Sequence, residues 1–443
     1  MQLSYSYSQI WKIAYPILLT LLVQNLIQVT DTAFLGRVGE VELGASALAG
    51  IYYIVTFMLA FGFSAGAQIL IGRRNGEGNY HKIGGIFVSG VILLLFLALA
   101  IFVFTRCFSP YILSHILESK NVLHASLEFL DWRIYGMFFA SFNVMFRAFF
   151  VGITKTKVLS INAIIMAFTN VIFGYALIFG KWGFPALGIA GAAIASVIAE
   201  SLSVLFLIIY TVSAVDLKKY GFHLPDFKFF QVLRRTLNIS SSVMLQYFLS
   251  LVTWFFFFLA IEKLGETALA ATNLVRSMYM IFTAPVYALG ATANTLVSNS
   301  IGANKQDEVI ALVWKVVRMA LVIVLVLVVI VALFPKLTLS IYTSDQRLIN
   351  TSVASLYVLL AGMPLIVAGN IFFNSVSGTG NTRTALCIES LTLILYFIFV
   401  WTCVLHFKSP LPVCWLSEYI YATGIFLMSF YYLKKGNWRN RKI

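Results

Sequence analysis

The sequence predicts an all-α polytopic membrane protein with twelve transmembrane helices in two pseudo-symmetric six-helix bundles. Three observations carry that expectation. Of 443 residues, 60% are hydrophobic and only 11% are charged, where a soluble domain carries about a quarter. Mean hydropathy is +0.91. The apolar residues fall into separate runs long enough to cross a bilayer, each near the roughly 20 residues that a spanning helix needs. Disorder is excluded by the same numbers, since it requires low hydrophobicity and high charge.

The runs lie at 13–35, 43–70, 84–105, 130–151, 159–180, 188–212, 238–261, 269–298, 311–334, 353–376, 385–405 and 414–433. An even count puts both termini on one side. With both ends cytoplasmic, the inner segments hold 18 Lys and Arg and the outer segments 8. The positive-inside rule therefore predicts cytoplasmic termini, and a cell inner (cytoplasmic) membrane is the expected location. The formal charge of +14 is read as this loop bias and not as a nucleic-acid footprint. Tyr5, Tyr7 and Trp11 at one end, with Tyr431, Tyr432 and Trp438 at the other, suit an interfacial belt. No basic stretch precedes the first apolar run, so it is read as an insertion signal that is not cleaved.

The halves look duplicated. A shift of 226 lays Gly39-Glu40 on Gly265-Glu266, Gly76 on Gly302, Gly136-Met137 on Gly362-Met363 and Gly152 on Gly378. The polar, basic stretch 213–236, with Pro225 in its middle, divides the spans six and six. The expected organisation is an N-lobe at 1–212, a cytoplasmic linker at 213–236 and a C-lobe at 237–443. Repeats of one orientation are related by an axis along the membrane normal, and in transporters the substrate path lies where repeats meet.

The chain carries no phosphate-binding GxxxxGK[ST] loop, no HExxH and no GxSxG. The five histidines fall in loops or at span ends, and the four cysteines have no zinc-type spacing. Nothing assembles a buried nucleophile with a base, so an enzyme is not expected, and neither is a cofactor. Gly62-x-x-x-Gly66 reads as close helix packing.

A charge in the bilayer is costly, so buried ionisable residues are informative. Asp31, Glu200 and Glu389 lie within spans, with Arg147 and Arg276 expected to close ion pairs with such acids. Thr20, Gln24, Gln28 and Asp31 follow steps of 4, 4 and 3 and share one helical face. A polar stripe on an apolar span must face protein or water. Asp31 is read either as a structural carboxylate or as a group that picks up and releases a proton or binds an ion. Pro16, fifteen residues earlier, can bend the helix. The repeat partner of Asp31 is Phe257, among Gln246, Ser250, Trp254 and the Phe255–Phe258 run. That run is read as an aromatic wall suited to flat, lipophilic or cationic compounds, or as lipid-facing or core packing. Gln24, Gln246, Ser250, Trp254 and Phe257 are the substrate-cavity candidates.

Pro16 through Asp31-Thr32 to Gly36, then Ser64-Ala65-Gly66 through Gly72, Gly76 and Glu77, resemble the first two helices of the multidrug and toxic compound extrusion (MATE) family. Asn170, Gly183-Phe184-Pro185 and the run Leu187 to Ser196 are similar to its fifth and sixth helices. The resemblance covers nearly the whole chain, and its DinF-like branch fits best. It implies a V-shaped pair of bundles that exports organic cations and other toxic compounds against inward proton or sodium flow. In that branch the coupling carboxylate stands at Asp31, with Pro16 as the bend and Gln28 beside it. A family cation site matches Asn170 and Ser196, so sodium at Asp31, Asn170 and Ser196 is one implied arrangement. The family's usual second Asp is replaced by Gly174, and no acid stands between Gln246 and Ser250, which favours the proton. The implied partners are small-molecule drugs, H+ or Na+ and the lipid bilayer, with the chain as a monomer and no nucleic acid. A lipid-linked oligosaccharide flippase of similar architecture is the alternative; it would need more basic residues than Arg147 and Arg276 for a diphosphate.

Overall fold

A computed structural model describes residues 5–117, 119–222 and 229–439, and every element among them is helical. Pro225 and Lys228 of the expected linker lie outside the described residues. The helices are α1 (Tyr7–Val38), α2 (Glu40–Gly76), α3 (Ile83–Ile116), α4 (Lys120–Arg133), α5 (Gly136–Gly152), α6 (Lys157–Phe179), α7 (Gly188–Ala214) and α8 (Leu217–Tyr220). After them come α9 (Phe229–Glu262), α10 (Glu266–Gly302), α11 (Val309–Leu333), α12 (Pro335–Ser340), α13 (Gln346–Gly378), α14 (Thr382–Val400), α15 (Leu411–Cys414) and α16 (Ser417–Lys435).

Among the described residues eleven helical stretches are long and apolar enough to span a membrane, and α4 with α5, bent by 52° at their break, counts as a twelfth when taken as one span. The run at 130–151 is therefore a broken span and not one straight helix. The reason is local: α4 is polar and interfacial in character, with Lys120, His124, Glu128, Asp131 and Arg133 along it, whereas α5 is a phenylalanine-rich apolar helix.

The 226-residue register reappears in the elements. Helices α2 and α10 are both 37 residues long and start at Glu40 and Glu266. Short 3-10 turns occupy Tyr80–Lys82 and Gln306–Glu308. The helices that follow begin at Ile83 and Val309, and α5 and α13 end at Gly152 and Gly378.

The chain forms two compact units, 15–244 and 1–14 with 245–443. These bounds differ from the expected 1–212 and 237–443. The cause is that two helices are shared: α1 belongs to one unit up to Ala14 and to the other from Tyr15, and α9 changes unit after Met244. Ile10, Ile13 and Ala14 are buried in the same core as residues of α10, α11 and α13. Pro16 sits two residues past the change of unit, inside an otherwise continuous helix. It removes the backbone bond that its N–H would make to Lys12, and Thr20 Oγ1 donates to the Pro16 carbonyl at 2.8 Å.

In the first unit in chain order (15–244), α2 packs on the start of α9 through glycine. A Cβ on Gly62 would lie 2.7 Å from Met244 Cα, and one on Gly66 2.5 Å from Ser240 Cα. Ser240 Oγ donates to Phe63 O at 2.9 Å across this contact. Gly66→Ala should thus force the helix backbones apart. We expect a cost of about 1–3 kcal/mol, seen as a lowered melting temperature of the detergent-purified protein. Beyond the end of α2, Arg74 pairs with Glu77 at 2.5 Å and Asn79 donates to the same carboxylate at 2.9 Å. Burial alone would push the Glu77 carboxyl up; these donors and the charges of Arg74 and Arg73 outweigh it and hold it below the usual carboxylate range. The turn therefore gains stability at neutral pH, which is lost as pH falls through that lowered value.

Candidate functional site

The polar residues of unit 15–244 converge from five helices. Asp31 on α1 is half-buried, and its Oδ1 is enclosed and accepts no hydrogen bond. Asn170 on α6 is 1% exposed and stands beside the Asp31 carboxylate. Asn170 Nδ2 donates to Ser196 Oγ on α7 at 3.2 Å, while Asn170 Oδ1 is buried and accepts nothing. Asp31, Asn170 and Ser196 thus lie together at one place in this unit. Gln28 is not: it is exposed and makes no side-chain hydrogen bond among the described residues, its carbonyl receiving Thr32 Oγ1 at 2.8 Å. Gln24 is exposed as well. Thr20 is turned toward Pro16 O and, at 3.3 Å, Leu159 O.

Helix α7 lays Ser196, Glu200 and Ser203 at steps of 4 and 3, which is one face. Glu200 is held by Arg133 of α4 through two bonds, Nη1 to Oε2 at 3.0 Å and Nη2 to Oε1 at 2.6 Å. The guanidinium lies 3.8 Å from the centre of the Tyr53 ring on α2, and its charge acts on Asp31. Ser203 Oγ lies 2.7 Å from Asn143 Oδ1 and 2.8 Å from Asn162 Oδ1, and Asn143 Nδ2 donates to Glu200 O at 3.4 Å. Arg147, expected to close an ion pair with a buried acid, sits over the Phe61 ring at 4.9 Å. Arg133 was missed because it lies at the bend between α4 and α5, where apolar periodicity gives a span end. Gly174, in the place of the family's second Asp, is buried, and its neighbour is the Phe34 ring, which packs on Tyr175 and Phe179. The atoms that face Gly174 are those of an aromatic ring, and the position itself carries no carboxylate.

In unit 1–14 with 245–443 the equivalent surroundings are different. Phe257 is 1% exposed and packs against Trp254, Tyr396 and Trp415. It is a core residue and not the wall of a cavity. Gln246, 6% exposed, ties α9 to α14 by donating from Nε2 to Thr382 O at 3.1 Å. Ser250 Oγ donates to Glu389 Oε1 at 2.6 Å, and Tyr421 OH approaches the same carboxylate at 3.1 and 3.3 Å. Glu389 thus has hydroxyl partners and no arginine. Trp254 remains half-buried, stacked on Phe258 at 5.9 Å. A second buried acid, Glu418 on α16, is 4% exposed, with Tyr279 and Tyr396 as polar neighbours. Its position four residues inside the last apolar run is the sequence signal that marks it as a span acid. Ser250→Ala removes one donor from a buried carboxylate. We expect a loss of about 1–3 kcal/mol, measured as a shift in thermal unfolding, with Ser250→Thr retaining most of it.

Among the described residues no group of three or more His, Cys, Asp or Glu could hold a metal ion. A family model described as MatE matches residues 16–176 and 239–402, once in each half. A probable multidrug resistance protein NorM of Thermotoga maritima is 22% identical over 98% of this chain and 93% of that protein. The corresponding Synechocystis protein is 24% identical over 98% of this chain and 94% of its own length. Among solved structures, an Asp-to-Asn mutant of the Vibrio cholerae MATE transporter VcmN superposes with a TM-score of 0.87, at 18% identity and 98% coverage of both chains. A MOP superfamily transporter from Pyrococcus furiosus, described by a reversed polarity of its binding pocket, superposes with a TM-score of 0.85, at 17% identity and 96% coverage of both chains.

Proposed function

The chain belongs to the MatE family, whose members are membrane transporters and not enzymes, and from that premise we propose that it is a multidrug efflux antiporter driven by inward proton flow through Asp31. The observation that carries the choice of ion is the pair of buried acceptors at one cluster, Asp31 Oδ1 and Asn170 Oδ1, neither of which receives a hydrogen bond. A proton on Asp31 converts an acceptor-only carboxylate into a group with an O–H to donate. Sodium would instead need several oxygens. Asp31, Asn170 and Ser196 supply at most four side-chain oxygens, and Gly174 and the Phe34 ring supply none. Coupling follows if substrate and proton each weaken the other's binding, which linkage makes reciprocal. The change in hydrogen bonding at Asp31 is transmitted along α1 to Pro16, and alternating access of the two lobes follows. The protein acts as a monomer in the cytoplasmic membrane with both termini inside.

The test is transport in sodium-free proteoliposomes, acid inside, with the membrane potential clamped and tetraphenylphosphonium as cargo. Accumulation that disappears when a protonophore collapses the pH gradient is the expected result. Accumulation that follows an imposed sodium gradient and ignores pH would overturn the proton reading.

A further inference from the structure

We infer that Arg276 forms a binding site for the carboxylate or phosphate of an amphiphilic aromatic molecule, so that the cargo is not confined to cations. The word cargo rests on the transport reading above; the site itself rests on the geometry of one compact unit.

Arg276 stands on α10, ten residues from its start, which is roughly 15 Å along the axis. It is half-buried. Its Nε is enclosed and has no acceptor, and the residue takes part in no ion pair or hydrogen bond among the described residues. Its two Nη groups are not among the enclosed unpartnered atoms, so they open to the surroundings. Other arginines with an acid in reach use it: Arg133 holds Glu200, Arg106 holds Asp131 and Arg74 holds Glu77. The buried acids of this unit do not serve Arg276. Glu389 is engaged by Ser250 and Tyr421, and Glu418 neighbours Tyr279 and Tyr396.

An arginine in a spanning helix is costly and is normally paired. Its planar fork of N–H donors matches a carboxylate or phosphate with two parallel bonds. The ring of Phe258, 5.2 Å from the guanidinium carbon, attracts the charge but accepts no conventional hydrogen bond. Asn273 and Ser277 direct their donors to backbone carbonyls of their own helix. The missing partner is therefore an external oxyanion. What lies beside the fork defines the rest of the molecule. Phe258 stacks on Trp254, which meets Tyr279 at 5.3 Å, and Met280, one turn on, is 50% exposed. These surfaces suit a flat apolar body.

The experiment measures binding of 1-pyrenebutyrate and of 1-pyrenebutylamine, which share an apolar body and differ in head charge. Purified full-length protein in phosphatidylcholine nanodiscs is titrated with each. We expect Arg276→Gln to weaken the carboxylate by roughly tenfold or more and to leave the amine unchanged or tighter. Arg276→Lys, which keeps the charge and loses the fork, should forfeit most of the carboxylate affinity, and it also covers the case in which the Gln variant does not fold. If pyrenebutyrate does not discriminate but wild-type protein retains phosphatidylglycerol in native mass spectra and Arg276→Gln does not, the oxyanion is supplied by a lipid headgroup. Equal behaviour of wild type and both variants in both arms would overturn the site. Binding is read without any ion gradient, so failure of proton coupling at Asp31 leaves this readout intact.

Discussion

Asp31→Asn should reduce proton-driven accumulation of tetraphenylphosphonium to the level of protein-free vesicles while the protein remains folded and inserted. The amide preserves the size of the side chain and supplies permanent donors at a position where the carboxylate can only accept. It can neither lose nor gain a proton over the working pH range. Substrate can then still bind, but no proton opposes it, and the free energy of the gradient has no route into the cycle. Asp31→Glu keeps a titrating group and should retain part of the activity. The contrast between the two variants, at matched protein in the vesicles, separates charge chemistry from simple disruption of α1. Uphill accumulation at the wild-type rate in Asp31→Asn would remove Asp31 from the coupling mechanism.

The second large effect concerns stability. Arg133 and Glu200 are joined by two hydrogen bonds in a region where both side chains are only 13% and 14% exposed. Removing one member leaves the other as an uncompensated buried charge, which typically costs about 3–5 kcal/mol. Glu200→Gln should therefore lower the melting temperature sharply and reduce the yield of monodisperse protein. Replacing both groups, as Arg133→Met with Glu200→Leu, should recover much of the loss, because no charge is stranded. The double variant gives a further reading. Arg133 no longer acts on Asp31, so the pH dependence of transport should shift even where the fold is restored. A Glu200→Gln protein as stable as wild type would mean that the pair is solvated in the membrane.

Much of this architecture was legible because bilayer physics acts on long windows. The apolar runs, the even count and the 226-residue register all reappear in the helices, down to equal 37-residue lengths for α2 and α10. The break between α4 and α5 was not legible, since a window over 130–151 averages a polar interfacial end with an apolar helix. The unit boundaries were not legible either. Hydropathy marks where a helix crosses the membrane but not which neighbours it packs on, so the sharing of α1 and α9 is invisible to it.

The site divides in the same way. Asp31 stands out because an acid in a spanning helix is conspicuous, and the family resemblance pointed to Asn170 and Ser196. Gln28 followed from helical spacing alone, which says that residues share a face but not how far that face extends into the protein. Phe257, the repeat partner of Asp31, was open between cavity wall and core and is core, and its neighbour Gln246, a cavity candidate, is a helix tie. Arg276 was expected to close an ion pair. Glu200 and Glu389 are instead engaged by Arg133, Ser250 and Tyr421, a matter of side-chain direction that no sequence window records.

The central claim is that one proton on Asp31 and one substrate exclude each other. Calorimetric titration of tetraphenylphosphonium into the purified protein, repeated in buffers of different ionisation enthalpy, counts the protons released on binding. The account predicts release approaching about one proton per cation bound when the site starts protonated, falling to none in Asp31→Asn. Undiminished proton release from the Asn variant, or none from wild type at any pH at which substrate binds, would contradict it.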